Sequence, residues 1–376
     1  LRNEYCATRC SSLVTRNLSI LGCLWFAVKT MPDPITLRRT RQWLAGLRLA
    51  LIYGLLGAVV LAAGLAWRGL LETGWGLMPA TPASPALSQR GINVEMERLG
   101  TGERDRQLRA LAEQDFDWVR QRFDWASLEP NPGLHDWSVS DGVIGAFGEY
   151  GLDVVAVLDG SPAWARATRD RTPNDNPLAP PAEPQDFARF AGEFAARYGP
   201  HVRYYQIWDE ANIAPHWGDR HIDPVGYAQL LRAAAAAIRA ADPDAVILTA
   251  ALAPTQDRGH TAMDEVYFLQ RMYAAGAAPA FDVVAIQPFG FGRAPDDPAQ
   301  RRTVLNLARA AWVRRAVQAA GDGATPLWAG RYGWNRAPNA IWGSVAPADQ
   351  ADYAVRALQR ARTAWPWLQG MAWAVA

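Results

Sequence analysis

The stretch "YYQIWDEANI", Tyr204 to Ile213, places two adjacent carboxylates and an asparagine at the end of a short apolar run. A run of this length, rich in aromatic and β-branched residues and bounded by polar ones, has the signature of a buried strand. Asp209 and Glu210 are poor strand formers and therefore mark its C-terminal end. In barrels of alternating strands and helices, that end carries the chemistry.

Working outward, the chain from residue 90 alternates short apolar runs with longer helical patterns. The runs are GINVEM near 91, WVRQRF near 118, DVVAVLD near 153, YYQIW near 204, AVILTAAL near 245, DVVAIQPF near 282, PLWAGRYGW near 326 and GMAWAVA near 370. Eight strands with helices between most neighbours predict an α/β fold, a (β/α)8 TIM barrel over 90–376, more readily than a doubly wound sheet. Residues 224–243, rich in Ala and Leu and closed by Asp242-Pro243, read as one of the helices. The segment from Pro347 to Trp365 reads as another, with Asp349 available to cap its start. The sequence stops at the end of the eighth strand, so either an earlier element covers that face or the barrel is truncated at its C-terminal end.

Upstream, "LALIYGLLGAVVLAAGLAW", residues 49–67, carries no charge and no polar face. A bilayer core requires about 20 such residues, so one transmembrane helix is expected before the barrel. Arg38, Arg39, Arg41 and Arg48 precede it, which puts residues 31–48 in the cytoplasm and the barrel outside, as a single-pass protein of the cell membrane. A cleaved signal, or a twin-arginine signal through Arg38-Arg39, is the alternative. All three cysteines (Cys6, Cys10, Cys23) precede the first methionine, Met31. Residues 1–30 are accordingly read as spurious or disordered, with translation starting at Met31. Residues 68–89 include a Pro/Ala/Ser tract, Met78 to Ser88, that suits an extended linker.

Composition bounds the partners. Half of the 376 residues are hydrophobic and the net charge is +1, so nothing global points to nucleic acid. The five histidines lack metal-ligand spacing, and His216 and His221 read as members of a polar loop. With no phosphate-binding loop and no dinucleotide fingerprint, no cofactor and no metal are expected. Arg301-Arg302 and Arg314-Arg315 read as solvated helix faces.

The segment "IWDEAN" resembles the Trp-Asn-Glu-Pro-Asn motif that ends the fourth strand of clan-A retaining glycoside hydrolases, the cellulase, β-xylosidase and iduronidase-like group. The similarity continues through residues 122–141 ("RFDWASLEPNPGLHDWSVSD") and 157–165 ("VLDGSPAWA"). It implies a carbohydrate partner, with Glu210 as acid/base and Asp209, Asn212 and Gln287 as substrate-binding positions. Cleaving a glycosidic bond needs one carboxylic acid to protonate the leaving oxygen. A second carboxylate attacks from about 5–5.5 Å, or activates water from about 6.5–9.5 Å.

The same resemblance predicts a nucleophilic glutamate in the seventh strand. The matching stretch is "WAGRYGWN", residues 328–335, where Arg331 stands in its place. An arginine has no lone pair to attack an anomeric carbon, and its fixed charge opposes a protonated acid beside it. Phe289 replaces a tyrosine that supports the nucleophile in relatives, and Asp209 replaces the usual asparagine. Glu95, Asp124, Glu129 and Asp159 lie near other strand ends, although Glu129 before Pro-Asn-Pro-Gly reads as a loop holder.

Tryptophan is frequent, at 17 residues, and Trp125, Trp164, Trp208, Trp217, Trp334, Trp342 and Trp373 fall at or past strand ends. Aromatic faces beside polar groups suit sugar rings. Trp164, Trp217 and Trp334 are the expected contacts. Two function classes follow: a hydrolase of O-glycosidic bonds, or a pseudo-glycosidase barrel that binds carbohydrate without cleaving it.

Overall fold

A computed structural model describes residues 34–72, 90–167 and 176–374. Residues 1–33, most of the 68–89 segment and the loop 168–175 lie outside the described residues, and with them the cysteines and the Pro/Ala/Ser tract. The chain divides into two compact units, Leu1–Leu70 and Leu71–Ala376.

The described part of the first unit belongs to one helix, α1 (Pro34–Glu72), which runs on both sides of the apolar stretch and takes in the basic residues before it. Within it Arg41–Ala66, with mean hydropathy 2.3, is long and apolar enough to cross a membrane. At 1.5 Å per residue that segment spans about 39 Å, against about 30 Å of hydrocarbon. Its side chains are exposed throughout.

The second unit is the predicted barrel. Its strands are β1 (Gly91–Val94), β2 (Trp118–Asp124), β3 (Asp153–Asp159), β4 (Tyr204–Ile207), β6 (Val246–Leu248), β7 (Val284–Ile286), β8 (Leu327–Tyr332) and β9 (Leu368–Trp373). A short strand, β5 (His216–Asp219), stands apart from this sheet. The eight strands are parallel in the order β6-β4-β3-β2-β1-β9-β8-β7. Bridges Leu248↔Val283 and Leu252↔Ile286 bring the two ends together into a nearly closed barrel.

Strand periodicity sorts the core. Trp118, Val155, Tyr204, Val246, Leu248, Val283, Ala285 and Trp328 form one buried cluster. Their sequence neighbours Val119, Val154, Tyr205, Ile247, Val284 and Leu327 belong to a second cluster that also takes in helix residues. Successive side chains of a strand point to opposite faces, so the first set fills the barrel and the second packs under the helices. Trp328 anchors the interior, with ring centroids 6.2 Å from Trp118 and 5.2 Å from Tyr204.

Two sequence expectations change here. At one helix, α2 (Pro224–Ala241), a side chain caps the start, Asp223 accepting from the Val225 and Gly226 amides at 3.0 and 2.9 Å. Helix α3 (Pro347–Ala364) instead follows Ala346 with no side-chain cap, and Asp349 lies inside its first turn. There its charge still favours the helix N-terminus. Arg314 is not solvated either: it is 0% exposed and donates to the carbonyls of Thr325 and Gly323 at 2.7 and 2.5 Å.

Candidate active site at the barrel mouth

One layer above the Trp118–Trp328 floor, the interior turns polar. Arg120, two residues after Trp118 and on the same strand face, is 4% exposed. Its Nε donates to Gln206 Oε1 and its Nη1 to Asn93 Oδ1, both at 2.9 Å, while Nη2 lies 2.7 Å from Asp209 Oδ1. Gly330 makes the space: a Cβ there would come within 3.1 Å of the Ala251 Cβ and 3.3 Å of Arg120 Nε. Asn93 Nδ2 donates onward to the carbonyls of Gly330 and Trp373, each at 3.0 Å.

Asp209 is thereby a buried anion among donors. Gln206 Nε2 adds a bond at 3.1 Å and Gln287 Nε2 one at 3.4 Å. Burial opposes its charge, but the Arg120 and Arg331 guanidiniums prevail and hold its carboxyl well below the usual range, at about 2.

Arg331 reaches this centre through an irregularity in β8. Between Ala329 and Tyr332 the strand carries one more residue than its neighbour carries between Met371 and Trp373. Such a bulge re-aims side chains beside active sites. Arg331 Nη1 lies 3.2 Å from Asp209 Oδ2 and 3.4 Å from Glu210 Oε1. The charge of Asp209 raises the Arg331 pKa against the effect of burial.

The backbone around Glu210 is strained. Trp208 (φ 68°) and Glu210 (φ 47°) both sit in the left-handed region that non-glycine residues avoid. Each such residue costs about 1–3 kcal/mol, a pattern common at functional sites. The detour turns Trp208 away from the barrel axis, onto Phe187 and Trp217 at 5.6 and 5.7 Å. Its indole donates to the His216 carbonyl at 2.6 Å. His216 Nε2 in turn lies 2.9 Å from Glu210 Oε2. Burial works against the imidazolium, but the bond and charge of Glu210 outweigh it and raise the His216 pKa. Each Glu210 oxygen therefore faces a basic group, Arg331 on one side and His216 on the other.

A second set of carboxyls rims the mouth at β1 to β3. Arg122 bridges Asp159 at 2.5 Å and Asp124 at 2.9 Å. Burial pushes the Asp159 carboxyl up to about 6, and burial with the nearby charge of Asp124 pushes Glu97 up to about 7. Among the described residues, no group of three or more His, Cys, Asp or Glu is arranged to hold a metal ion.

The structure separates the other residues singled out in the sequence. Gln287 and Asp209 belong to the centre, and Phe289 follows at the end of β7, half-buried. Asn212 does not face the cleft. It is 0% exposed, its amide donating to Ala253 and Met263 carbonyls at 2.8 and 2.9 Å and its oxygen accepting from the Ala253 amide at 2.8 Å. Trp217 and Trp334, 3% and 4% exposed, are core residues without an open face for a sugar. Trp164 is half-buried, edge-on to Trp125 at 5.5 Å and beneath the Arg189 guanidinium. Glu129 holds its loop, accepting from Trp125 Nε1 and the Gly133 amide, both at 2.7 Å, and pairing with Arg189 at 2.7 Å.

Arg120, Arg122 and Glu97 join the mouth without a motif to mark them, and His216, which reads in the sequence as part of a polar loop, faces Glu210. The alternation Trp118-Arg120-Arg122 within an otherwise apolar strand was the available signal for the arginines. His216 had none beyond lying six residues after Glu210.

No protein-family model matches the sequence, and a search of curated proteins finds no match. Solved structures do match. A family 39 glycoside hydrolase from the gut symbiont Bacteroides cellulosilyticus WH2 superposes with TM-score 0.59 at 17% identity, over 80% of this chain and 58% of that one. The chain has the fold of family 39 glycoside hydrolases. A glucosidase from Croceicoccus marinus (TM-score 0.58, 15% identity) is covered over 79% of this chain and 61% of that one. The family 39 enzyme from Xanthomonas axonopodis pv. citri (0.55, 18%) is covered over 79% and 60%. This chain thus spans about three-fifths of the length of these three structures.

Proposed function

We propose that the protein is a membrane-anchored, extracytoplasmic barrel that binds carbohydrate at its mouth and does not perform retaining hydrolysis. One observation carries this reading: the Arg331 guanidinium lies 3.2 Å from Asp209 and 3.4 Å from Glu210. A retaining mechanism places a second carboxylate about 5–5.5 Å from the acid/base residue. Here a cation without a nucleophilic lone pair occupies the centre, and a leaving-group oxygen would have to displace Arg331 or His216 to reach Glu210. Sugar hydroxyls still find donors and acceptors at Arg331, Glu210 and His216. The xylosidase and glucosidase names among the structural neighbours make β-linked xylo- and gluco-oligosaccharides the first ligands to test.

The full chain should bind such oligosaccharides yet release no aryl alcohol from aryl β-xylosides or β-glucosides. Arg331→Glu should produce measurable turnover, and adding Glu210→Gln should abolish it again. A wild-type chain that cleaves with retention overturns the reading. One observation favours a second reading, hydrolysis with Glu210 as acid/base and another carboxylate as its partner. Asp159 is buried against Arg122, 2.5 Å away, with a carboxyl at about 6 that changes charge near neutrality. Turnover by the wild type that Asp159→Asn removes would establish it.

The anchoring rests on the apolar helix and the arginines before it. In this reading residues 31–48 are cytoplasmic, 49–67 cross the membrane and 68–89 tether the barrel. A mature N-terminus beyond residue 67, found by mass spectrometry of membrane-extracted protein, would sink the anchor.

A further inference from the structure

The loops after β7 and β8 hold the aromatic surface that the core tryptophans do not provide. Phe289, two residues past Gln287, meets Phe291 edge-on at 6.2 Å, and Phe291 meets Trp342 edge-on at 6.1 Å. The run begins at the polar centre, because Gln287 bonds Asp209, and ends on an indole that is 61% exposed. Phe291, Gly292, Arg293, Leu305 and Trp342 line a cleft of about 390 Å³. That lies within the roughly 300–1,000 Å³ of small-molecule sites.

Trp342 is held in place. Its neighbour Gly343 (φ +90°) approaches Gly292 so closely that a Cβ would meet the Gly292 Cα and N at 3.1 Å. The Gly290 amide donates to the Gly333 carbonyl at 3.0 Å and the Val345 amide to the Asn335 carbonyl at 2.9 Å, which stitches each loop to the strand end beside it. An ordered, open indole beside a guanidinium and bare glycine backbone offers an apolar face with polar edges. A pyranose ring presents the same combination in reverse, an apolar C–H face with hydroxyls around it.

We propose that this cleft is an outer subsite for a further sugar unit of a β-linked oligosaccharide, with the ring stacked on Trp342 and its hydroxyls directed to Arg293. The inference rests on the proposed carbohydrate binding at the centre and adds a chain-length requirement to it. Short ligands engage the centre, and longer ones reach Trp342.

The test uses the full chain in lipid nanodiscs, titrated calorimetrically with xylo- and cello-oligosaccharides of two to six units. Affinity should rise with chain length, and Trp342→Ala should weaken the longest ligands about tenfold, the loss of one aromatic anchor, while leaving the dimers unchanged. Phe291→Leu should reproduce part of the effect without emptying the loop. If no oligosaccharide binds, the carbohydrate reading falls and the subsite with it. If all lengths bind alike and Trp342→Ala changes none, the subsite alone falls. Quenching of Trp342 by brominated lipid, seen as a difference from Trp342→Phe, would put this patch against the membrane and overturn the glycan assignment.

Discussion

The floor and the mouth of the barrel are built from the same strands and stabilised by different physics. At the floor, Trp118, Tyr204 and Trp328 fill the interior by volume. Two residues further along, at Arg120 and Gln206 and in the space left by Gly330, the interior becomes polar, with Arg120 meeting Gln206, Asn93 and Asp209. A close-packed apolar layer tolerates exchange of one hydrocarbon for another of equal size. A buried polar layer tolerates the loss of a whole pair but not of half of one. The mouth is therefore the part of the fold where a single substitution has the most specific consequences.

Substitution separates the two layers. Trp328→Ala should cost about 3–5 kcal/mol in denaturant unfolding, as large-to-small changes do in cores. Arg120→Leu should cost a similar amount, about 3–5 kcal/mol, because it leaves Asp209 buried with one guanidinium where it had two. Adding Asp209→Asn should recover much of the second loss and none of the first. Equal recovery in both backgrounds would mean that the mouth, too, is held by packing alone.

The next effect is pH dependence, of about 2 kcal/mol, and the two carboxyls of the mouth pull in opposite directions. Asp209, held at about 2, contributes stability that is complete above the ordinary Asp range and disappears as pH falls toward 2. Asp159, raised to about 6, does the reverse, its contribution being present at acid pH and lost as pH rises through 6. Unfolding at pH 4 and pH 8 should thus show Asp159→Asn gaining about 2 kcal/mol relative to the wild type across that interval. A flat difference would show that the bond from Arg122 fully compensates the burial of Asp159.

A smaller effect concerns Asn212, which resembles a ligand-binding position in sequence but bonds only backbone. Asn212→Leu should cost about 1–3 kcal/mol by leaving those groups unsatisfied, and should leave oligosaccharide affinity unchanged. A loss of affinity at unchanged stability would return Asn212 to the cleft.

How much of this was legible in advance follows from the range of the interactions. The eight strands could be read in order because strand burial and helix composition are local, period-2 and period-3.6 signals. The apolar stretch was equally plain, although α1 extends well past it, since helix propensity does not stop where hydropathy does. Glu210 and Arg331 could be nominated because each lies in a contiguous motif at a strand end. The burial of Trp217 and Trp334 was not legible for the converse reason: position past a strand end does not say which way a ring turns. The φ of 68° at Trp208 and the turn onto Phe187 decide that for the Trp208–Trp217 pair.

By itself, then, the sequence determined the kind of barrel, the apolar segment before it and the place of Glu210 and Arg331 at strand ends, all properties of short windows. Tertiary structure decided everything that joins residues far apart in the chain. It put Arg120 against Asp209 and His216 and Arg331 on opposite oxygens of Glu210, and it aligned Phe289, Phe291 and Trp342 along one edge of the mouth. Those contacts depend on a bulge in β8 and on two strained residues after β4. Both are fixed by the closure of the barrel around them, which no local window of sequence contains.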